Sequence, residues 1–362
     1  MNYVKADPEK VRRGRTDSAA RGMLIGLALG ETLGNARGTV PADGPLHAGV
    51  CTQLACFTAE GLIRASVRMD HRGIGHPPSV LWHAYCRWAA LQGIEADRMR
   101  ERWTMGLDRP WPTGWLAEVP ALAERRGSAP ATVAALTRIE QGTLTEPATP
   151  SRGWHALGRT LPVAAVPAWC SGATVRETAA LTHGDPAAQS AAAHAALLAR
   201  HCPTGDGVHD AFATALSELR SFDPKATADE LDRLTTALRH GADRPGDAAA
   251  LAHFAPDRTA PSALLGGLYA AASFPERAQV DAALRFASGA PDGGAVACVT
   301  GALLGAAHGV EALPVHLVSR HELSWVLDTL ARDLVVQFAD SPCGSEWTEG
   351  WDPNWWNRYP GG

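Results

Sequence analysis

The sequence predicts an all-α fold in a single domain, and three observations lead to this prediction. Candidate helices follow one another along the 362 residues, with few strand signals between them. Ala-rich windows such as "AAQSAAAHAALLAR" have high helix propensity and small side chains that let helices pack closely. Pro and Gly clusters such as "DRPWPTG" and "SGAPDGG" separate these segments, whereas no repeat or long low-complexity linker divides the chain. We therefore expect one helical domain over residues 1–362.

The helices are expected between successive breaker clusters. The first is an apolar segment rich in Gly, Ala and Leu, and the second has apolar residues roughly one helical turn apart. A later helix is expected to start at Pro186, directly after Asp185 in "THGDP", because proline is favoured at a first helical position. The predicted ranges are 18–34, 52–70, 79–92, 115–126, 130–141, 174–181, 185–200, 206–220, 226–240, 261–273, 276–287, 293–308 and 321–339.

The two ends of the chain differ from this helical body. Residues 1–18 are charged and lack the apolar segment of a secretory signal, so we expect an N-terminal extension there. Residues 340–362 contain several Trp in an acidic, turn-rich context. Since that apolar area would otherwise stay in water, we expect the tail to pack on the helices, in the core or at an oligomer contact. The oligomeric state stays open.

Composition and charge limit the possible partners. A net charge of -5 with no Lys/Arg-rich run gives no electrostatic footprint for nucleic acid. No apolar stretch reaches the length of a membrane span. The seven cysteines are scattered and include no C-x-x-C pair, which argues against a zinc site and a disulfide framework. We expect a cytoplasmic protein whose partner is a small-molecule ligand or substrate, with no nucleic-acid or membrane partner.

Several separated blocks resemble one family in the same order. "RGMLIGLALGETLGNARG" (21–38) is similar to the opening G-x-x-x-G-x-A-x-G-D-A-x-G helix of the ADP-ribosylglycohydrolase family. "CTQLACFTAEGLIRA" (51–65) resembles its second helix, and "ASGAPDGGAVACVTGALLGAAHG" (287–309) resembles its closing segment. Weaker matches lie at 151–166 and 180–194 and in the terminal "RYP". The resemblance implies a helical ADP-ribosylglycohydrolase-like fold from about residue 20 onward.

The resemblance also implies a metal site, which this chain changes. Family enzymes hold two magnesium ions with carboxylates and hydroxyls, and magnesium requires hard oxygen ligands. The family's [ST]-D-D-T turn corresponds to residues 49–52, which read Gly-Val-Cys-Thr. Its D-x-D-[ST] turn corresponds to residues 290–293, where only Asp292 is acidic, and the Asp of its first motif is replaced by Glu31. We therefore expect the dinuclear site to be lost, with no metal ligands and no cofactor.

Four residues are candidates for catalysis, each with a simpler alternative. His155 offers an imidazole near neutral pH, or it is a solvated surface side chain. Asp292 is a pocket carboxylate, the N-cap of the following helix, or both. Glu31 lies in an apolar helix, where it acts as a general acid or base or bonds a loop amide. Cys51 is a nucleophile if a helix N-terminus lowers its pKa, or else a small buried hydrophobe.

The loop that holds substrate in the family is also altered. At 153–158 the chain reads "GWHALG", so Trp154 and His155 occupy space that the family leaves open for ADP-ribose, while Arg152 and Arg159 remain to hold an anion. The expected ligand-binding residues are Thr52, Gln53, Asn35, Arg152, Trp154, Arg159 and Ser288.

Two functional hypotheses follow from these changes. In the first, the altered pocket is a metal-independent enzyme that performs acid–base or nucleophilic chemistry on a small polar or nucleotide-like metabolite, for instance in secondary metabolism. In the second, the protein is a catalytically inactive relative that binds an ADP-ribose-like ligand or a protein partner. The first is preferred, since a decayed site has no reason to acquire Trp and His.

Overall fold

The computed structural model describes residues 8–108, 110–204, 208–222 and 227–361. These ranges contain eighteen α-helices, five short 3-10 helices and isolated bridges without a β-sheet, so the all-α prediction is confirmed. None of the helices in the described ranges combines the length and apolar character that a bilayer span requires. The α-helices are α1 (Pro8–Asn35), α2 (Val50–Arg72), α3 (Pro77–Leu91), α4 (Ala96–Thr104), α5 (Pro120–Ala123), α6 (Pro130–Leu136), α7 (His155–Thr160), α8 (Gly172–Ala180), α9 (Pro186–His201), α10 (Val208–Phe222), α11 (Ala228–Asp243), α12 (Ala248–Phe254), α13 (Ala260–Ser273), α14 (Val280–Ala287), α15 (Gly293–His308), α16 (Val315–Val318), α17 (Ser324–Asp340) and α18 (Trp355–Arg358).

Several observed helices differ from the predicted ranges. Helix α1 begins at Pro8, so part of the expected extension over 1–18 is helical, and residues 1–7 lie outside the described residues. The predicted helix at 115–126 is two short pieces, because Pro120 restricts the residue before it to an extended conformation. Helices α4, α7, α12, α16 and α18 lack a predicted counterpart. Residues 206–207 and 226, which begin two predicted helices, lie outside the described residues.

Helices α1 and α15 pack directly backbone to backbone. Gly22, Gly26, Gly30 and Gly34 recur every four residues on one face of α1. A Cβ atom on any of them would come closer than 3.0 Å to a main-chain atom of α15. The opposing positions run from residue 305 down to 293, so the two helices are antiparallel. We call this contact the glycine seam; it places the C-terminal end of α1 beside the N-terminal end of α15.

Helix α2 lies in the core beside this pair. Every residue from Val50 to Val67 is buried, and the helix packs against α3 and α17. The C-terminal tail is only partly buried. Trp355 donates from Nε1 to the side-chain oxygen of Gln337 at 2.7 Å, and the hydroxyl of Tyr359 donates to Asp333 at 2.5 Å, both on α17. Two other tail tryptophans are exposed, Trp347 and Trp351.

Candidate active site

A cleft opens where the C-terminal end of α1 meets the N-terminal ends of α2, α7 and α15. Its volume is about 770 Å³, within the range of small-molecule sites in proteins. Loop residues 125–128, the first two residues of α6, and Ser151 and Gly153 also line it. The polar and aromatic side chains that line it are Glu31, Thr32, Asn35, His47, Arg125, Arg126, Ser128, Ser151, Trp154, His155, His183, Arg258 and Asp292.

Glu31 provides the N-terminal cap of α2. The residue before this helix is Gly49, which has no side chain to satisfy the first amides. The Glu31 carboxylate instead accepts hydrogen bonds from the backbone N–H of Cys51 at 3.0 Å and of Thr52 at 2.7 Å, and from the Thr52 hydroxyl at 2.6 Å. Burial raises the pKa of Glu31, although the bonds from Thr52 and Cys51 act in the opposite direction. The structure thus shows the helix-capping arrangement for Glu31 and Thr52.

The Glu31 carboxylate occupies the space where a side chain at position 49 would lie. A Cβ atom on Gly49 would come closer than 3.0 Å to both carboxylate oxygens of Glu31. The backbone at Gly49 is extended, with φ -84° and ψ 175°, so other residues can adopt this conformation. The constraint at this position is therefore steric, and Glu31 together with Gly49 forms a matched pair.

This matched pair predicts a compensating double variant. Gly49→Ser is expected to lower the free energy of unfolding by about 2 kcal/mol, because the new side chain overlaps the carboxylate. In the Glu31→Asp background the shorter side chain leaves room, so the same substitution should cost markedly less. Urea denaturation of the wild type, the two single variants and the double variant measures this coupling. Additive losses in the double variant would contradict the steric pairing.

Cys51 lies beneath the cleft rather than in its wall. Its side chain is fully buried, and its Sγ atom packs against Gly158. Burial raises the pKa of the thiol well above its usual value, and a hydrogen bond with Cys298 acts in the same direction. A protonated, enclosed thiol is a poor nucleophile, so this geometry favours the small-hydrophobe interpretation of Cys51.

His155 begins α7 and contributes to the cleft wall. Its ring stacks on the indole of Trp154, with ring centroids 4.5 Å apart. Burial lowers the pKa of His155 to about 4, and the positive charge of Arg159 contributes to this shift. The imidazole is therefore neutral near pH 7 and has a nitrogen that can accept a proton.

Asp292 caps α15 and also lines the cleft. Its carboxylate accepts a hydrogen bond from the backbone N–H of Ala295 at 3.4 Å, and Arg258 lies 3.9 Å from its other oxygen. The side chain remains 16% exposed and lines the cleft. Both sequence interpretations of Asp292 are thus present together, as N-cap and as cleft carboxylate. Asn35, at the end of α1, also lines the cleft.

Arg159 is buried away from the cleft. Its guanidinium donates to the Tyr85 hydroxyl at 2.8 Å and to the Thr182 hydroxyl at 2.6 Å, and it also donates to the backbone carbonyls of Thr178 and Ala179. These bonds tie α7 to α3 and α8. The structure therefore gives Arg159 a role in holding helices together and does not bring it to a ligand.

Three further predicted ligand residues also lie outside the cleft wall. Gln53 is buried and donates to the backbone carbonyl of Ala121 at 2.8 Å. Ser288 is buried and donates to the backbone carbonyl of residue 285 at 2.6 Å. Arg152 is exposed and lies 3.6 Å from Asp185. Polar residues near a motif are thus used for local structure at all three positions.

Loop residues that the sequence did not indicate supply much of the charge in the cleft. Arg126 lies 3.1 Å from Glu322, whose carboxylate also lies 2.8 Å from the Nδ1 atom of His47. Arg258 and His183 reach the cleft from two other loops. In the sequence, the adjacent arginines before Gly127 are the signal for this basic wall.

The described part of the chain contains no group of three or more His, Cys, Asp or Glu side chains placed to hold a metal ion. In the cleft, the carboxylates of Glu31 and Asp292 each cap a different helix, and His155 and His183 are neutral because burial lowers the pKa of both. The arrangement offers hydrogen-bond acceptors for proton transfer and guanidinium groups for an anion.

Comparison with known proteins agrees with this fold. The sequence model of the ADP-ribosylglycohydrolase family matches residues 12–342, and the chain belongs to this family. A solved structure described as an ADP-ribosylglycohydrolase-related protein complex is similar to the chain, with a TM-score of 0.54 and 21% sequence identity. That similarity covers 89% of this chain and 98% of the other. No curated protein matches the sequence.

Proposed function

We propose that the cleft binds a small polar or nucleotide-like metabolite and acts on it by acid–base chemistry without a bound metal. The observation that carries this proposal is the composition of an open cleft of about 770 Å³. Its wall contains His155, Asp292 and several arginines, while the Glu31 carboxylate caps the N-terminus of α2. A role in secondary metabolism is part of the same proposal.

The residues present do not fit the two magnesium ions that the family resemblance implies. Two such ions require several oxygen ligands, mostly carboxylates. Both oxygens of Glu31 already accept bonds from α2, and the Thr52 hydroxyl donates to one of them. Gly49 and Val50 have no ligand atoms in their side chains, and Asp292 is the remaining carboxylate. The proposed chemistry therefore uses no magnesium.

The proposed roles follow from charge and protonation. The neutral imidazole of His155 accepts a proton from the substrate, and the carboxylate of Asp292, which also lines the cleft, positions a hydroxyl or stabilises a developing positive charge. The guanidinium groups of Arg126 and Arg258 hold an anionic group such as a phosphate. The indole of Trp154 stacks on the ring of His155 and adds an aromatic surface to the cleft wall.

A binding experiment tests the metal-independence of the cleft. Calorimetric titration with ADP-ribose is expected to give the same affinity in EDTA as in excess Mg²⁺. Arg126→Gln should weaken binding by about tenfold, because one charge-assisted contact is lost. Tight binding of two magnesium ions per chain, or ADP-ribose binding that requires them, would contradict the proposal.

A second experiment separates an enzyme from a binding protein. We expect a mixture of phosphorylated and nucleotide metabolites, incubated with the wild type and followed by mass spectrometry, to show one consumed compound. His155→Gln should reduce its turnover by at least about a hundredfold, the range of general acid–base contributions, without unfolding the protein. His316→Gln, an exposed histidine on α16, is the matched control and should leave turnover unchanged.

The alternative is a catalytically inactive protein that binds an ADP-ribose-like ligand or a protein partner. One observation favours it, because both carboxylates that line the cleft also cap helices. Saturable binding with no turnover in the metabolite mixture would support this alternative over the enzyme.

A further inference from the structure

A second, larger cleft lies at a different part of the molecule. Its volume is about 1000 Å³, and its wall comes from the second half of α2, from α3 and α4, from the loops 74–76 and 110–113, and from residues 140–141 and 360–361. Helix α2 links the two clefts: Val50 lines the first and Arg64 lines the second. At 1.5 Å per residue these positions are about 21 Å apart along the helix axis. The second cleft is therefore separate from the candidate active site.

Aromatic rings form much of this wall. Trp82, Trp103 and Trp111 all line the cleft together with His83. The ring of His83 lies 4.4 Å from that of Trp103, and Trp111 donates from Nε1 to His83 Nε2 at 3.3 Å. This bond requires an unprotonated Nε2, and burial together with the charges of nearby arginines lowers the pKa of His83 well below its usual value. The rings are thus held in a fixed, neutral arrangement.

Beneath the rings lies a buried group with an excess of positive charge. Glu60, Arg64 and Arg87 are each at most 3% exposed. The Glu60 carboxylate is shared, because Arg64 lies 2.9 Å from one oxygen while Arg87 forks onto both. Both arginines also donate to the backbone carbonyl of Thr113, at 2.8 and 3.0 Å. One negative charge therefore faces two positive charges, and Arg64 forms part of the cleft wall.

Further arginines stand at the mouth of the cleft. The guanidinium of Arg102 lies over the ring of Trp103, 4.9 Å from its centroid, and donates to the backbone carbonyl of Ile139. Arg68 donates to the backbone carbonyl of Gly361 at 3.1 Å. Glu140 is the one acidic residue in the described wall. The wall thus keeps an excess of positive charge around a set of aromatic rings.

We propose that this second cleft is a binding site for a small aromatic anion. A flat ring packs against the indole of Trp111, one of the tryptophans in the wall, because aromatic groups gain both buried area and favourable ring geometry. Its carboxylate or phosphate meets Arg102 at the mouth, supported by the positive charge of Arg64 below. A neutral aromatic ligand would not balance the excess positive charge of the wall. A small inorganic anion would leave the space beside the aromatic rings empty. This site does not depend on the function proposed for the first cleft.

Calorimetric titration with three probes tests the proposal. We expect 2-naphthoate or 2-naphthyl phosphate to bind saturably at one site and at least about tenfold more tightly than the neutral alcohol 2-naphthylmethanol. A preference for the carboxylate or for the phosphate identifies the anionic group. Equal affinity for the neutral alcohol, or no saturable binding by either anion, would overturn the proposal.

Variants locate the bound probe. Trp111→Ala and Arg102→Gln should each weaken binding of the tighter anion by about tenfold, and both positions are at least partly exposed, so folding is expected to persist. The matched controls are Trp347→Ala, at a tail tryptophan that is 85% exposed, and Arg126→Gln in the first cleft. Both controls should bind as the wild type does. Loss of binding in Arg126→Gln, or wild-type affinity in both second-cleft variants, would overturn the assignment.

Discussion

Replacing Gly26 with alanine is expected to lower the free energy of unfolding by about 3 kcal/mol, the upper part of the range for overpacked cores. The new methyl group would come closer than 3.0 Å to the carbonyl of Gly301 on α15. A main-chain carbonyl within a helix cannot rotate away as a side chain can, so α1 and α15 would have to separate. Urea denaturation followed by circular dichroism measures the loss.

Gly14→Ala in the same helix is the matched control. Nothing lies within 4 Å of a Cβ atom at Gly14, and the residue is exposed. Alanine is a better helix former than glycine, so this variant should gain up to about 1 kcal/mol. A decrease in the free energy of unfolding for Gly26→Ala together with an increase for Gly14→Ala would establish the close approach of α1 and α15. Losses of similar size would show instead that α1 tolerates no change at either glycine.

Replacing Glu60 with glutamine is expected to lower the free energy of unfolding by about 3–5 kcal/mol, the range for breaking a buried ion pair. The loss arises because Arg64 and Arg87 would then remain buried together without a negative charge between them. The measurement is again urea denaturation at neutral pH. Glu101→Gln on the exposed side of α4 is the control and should change stability by less than about 0.5 kcal/mol.

The difference in free energy of unfolding between the wild type and Glu60→Gln should also depend on pH. Burial raises the pKa of Glu60, but the charges of Arg64 and Arg87 lower it, and the net shift is downward. A carboxylate with a lowered pKa stabilises the folded state above its unfolded pKa and loses that contribution as the pH falls through the folded value. The free energy of unfolding of the wild type should therefore exceed that of Glu60→Gln by a constant amount near neutral pH, and this excess should become smaller only in acid. A gap that widens in acid would contradict the ion-pair explanation.

The fold was more predictable from the sequence than the contacts that stabilise it. Helix α15 begins and ends at the predicted residues, because Asp292 and the glycines around it are clear boundary signals. The four-residue glycine spacing of α1 was also visible. Its partner was not, because the residues that oppose it lie some 260 to 280 positions away and local periodicity carries no information about pairing.

The candidate site was only partly predictable, for a related reason. His155, Trp154 and Asp292 line the cleft, since each is at or beside a helix start that faces it. Arg159, four residues after His155, is buried against other helices. Which polar side chains are satisfied inside the fold depends on neighbours from distant segments. For the same reason the sequence did not indicate Arg126, which reaches the cleft from a loop with no recognisable motif.

Helix α2 has a consequence for the molecule as a whole. Every residue of this helix from Val50 to Val67 is buried. Because protein interiors are close-packed, the helix cannot slide, tilt or rotate without displacing its neighbours. Val50 in its first turn lines one cleft, and Arg64 and Arg68, about four and five turns further along the helix, line the other. One rigid helix therefore contributes to the walls of both clefts. The packing of the core around this helix fixes the distance and the orientation between the two walls.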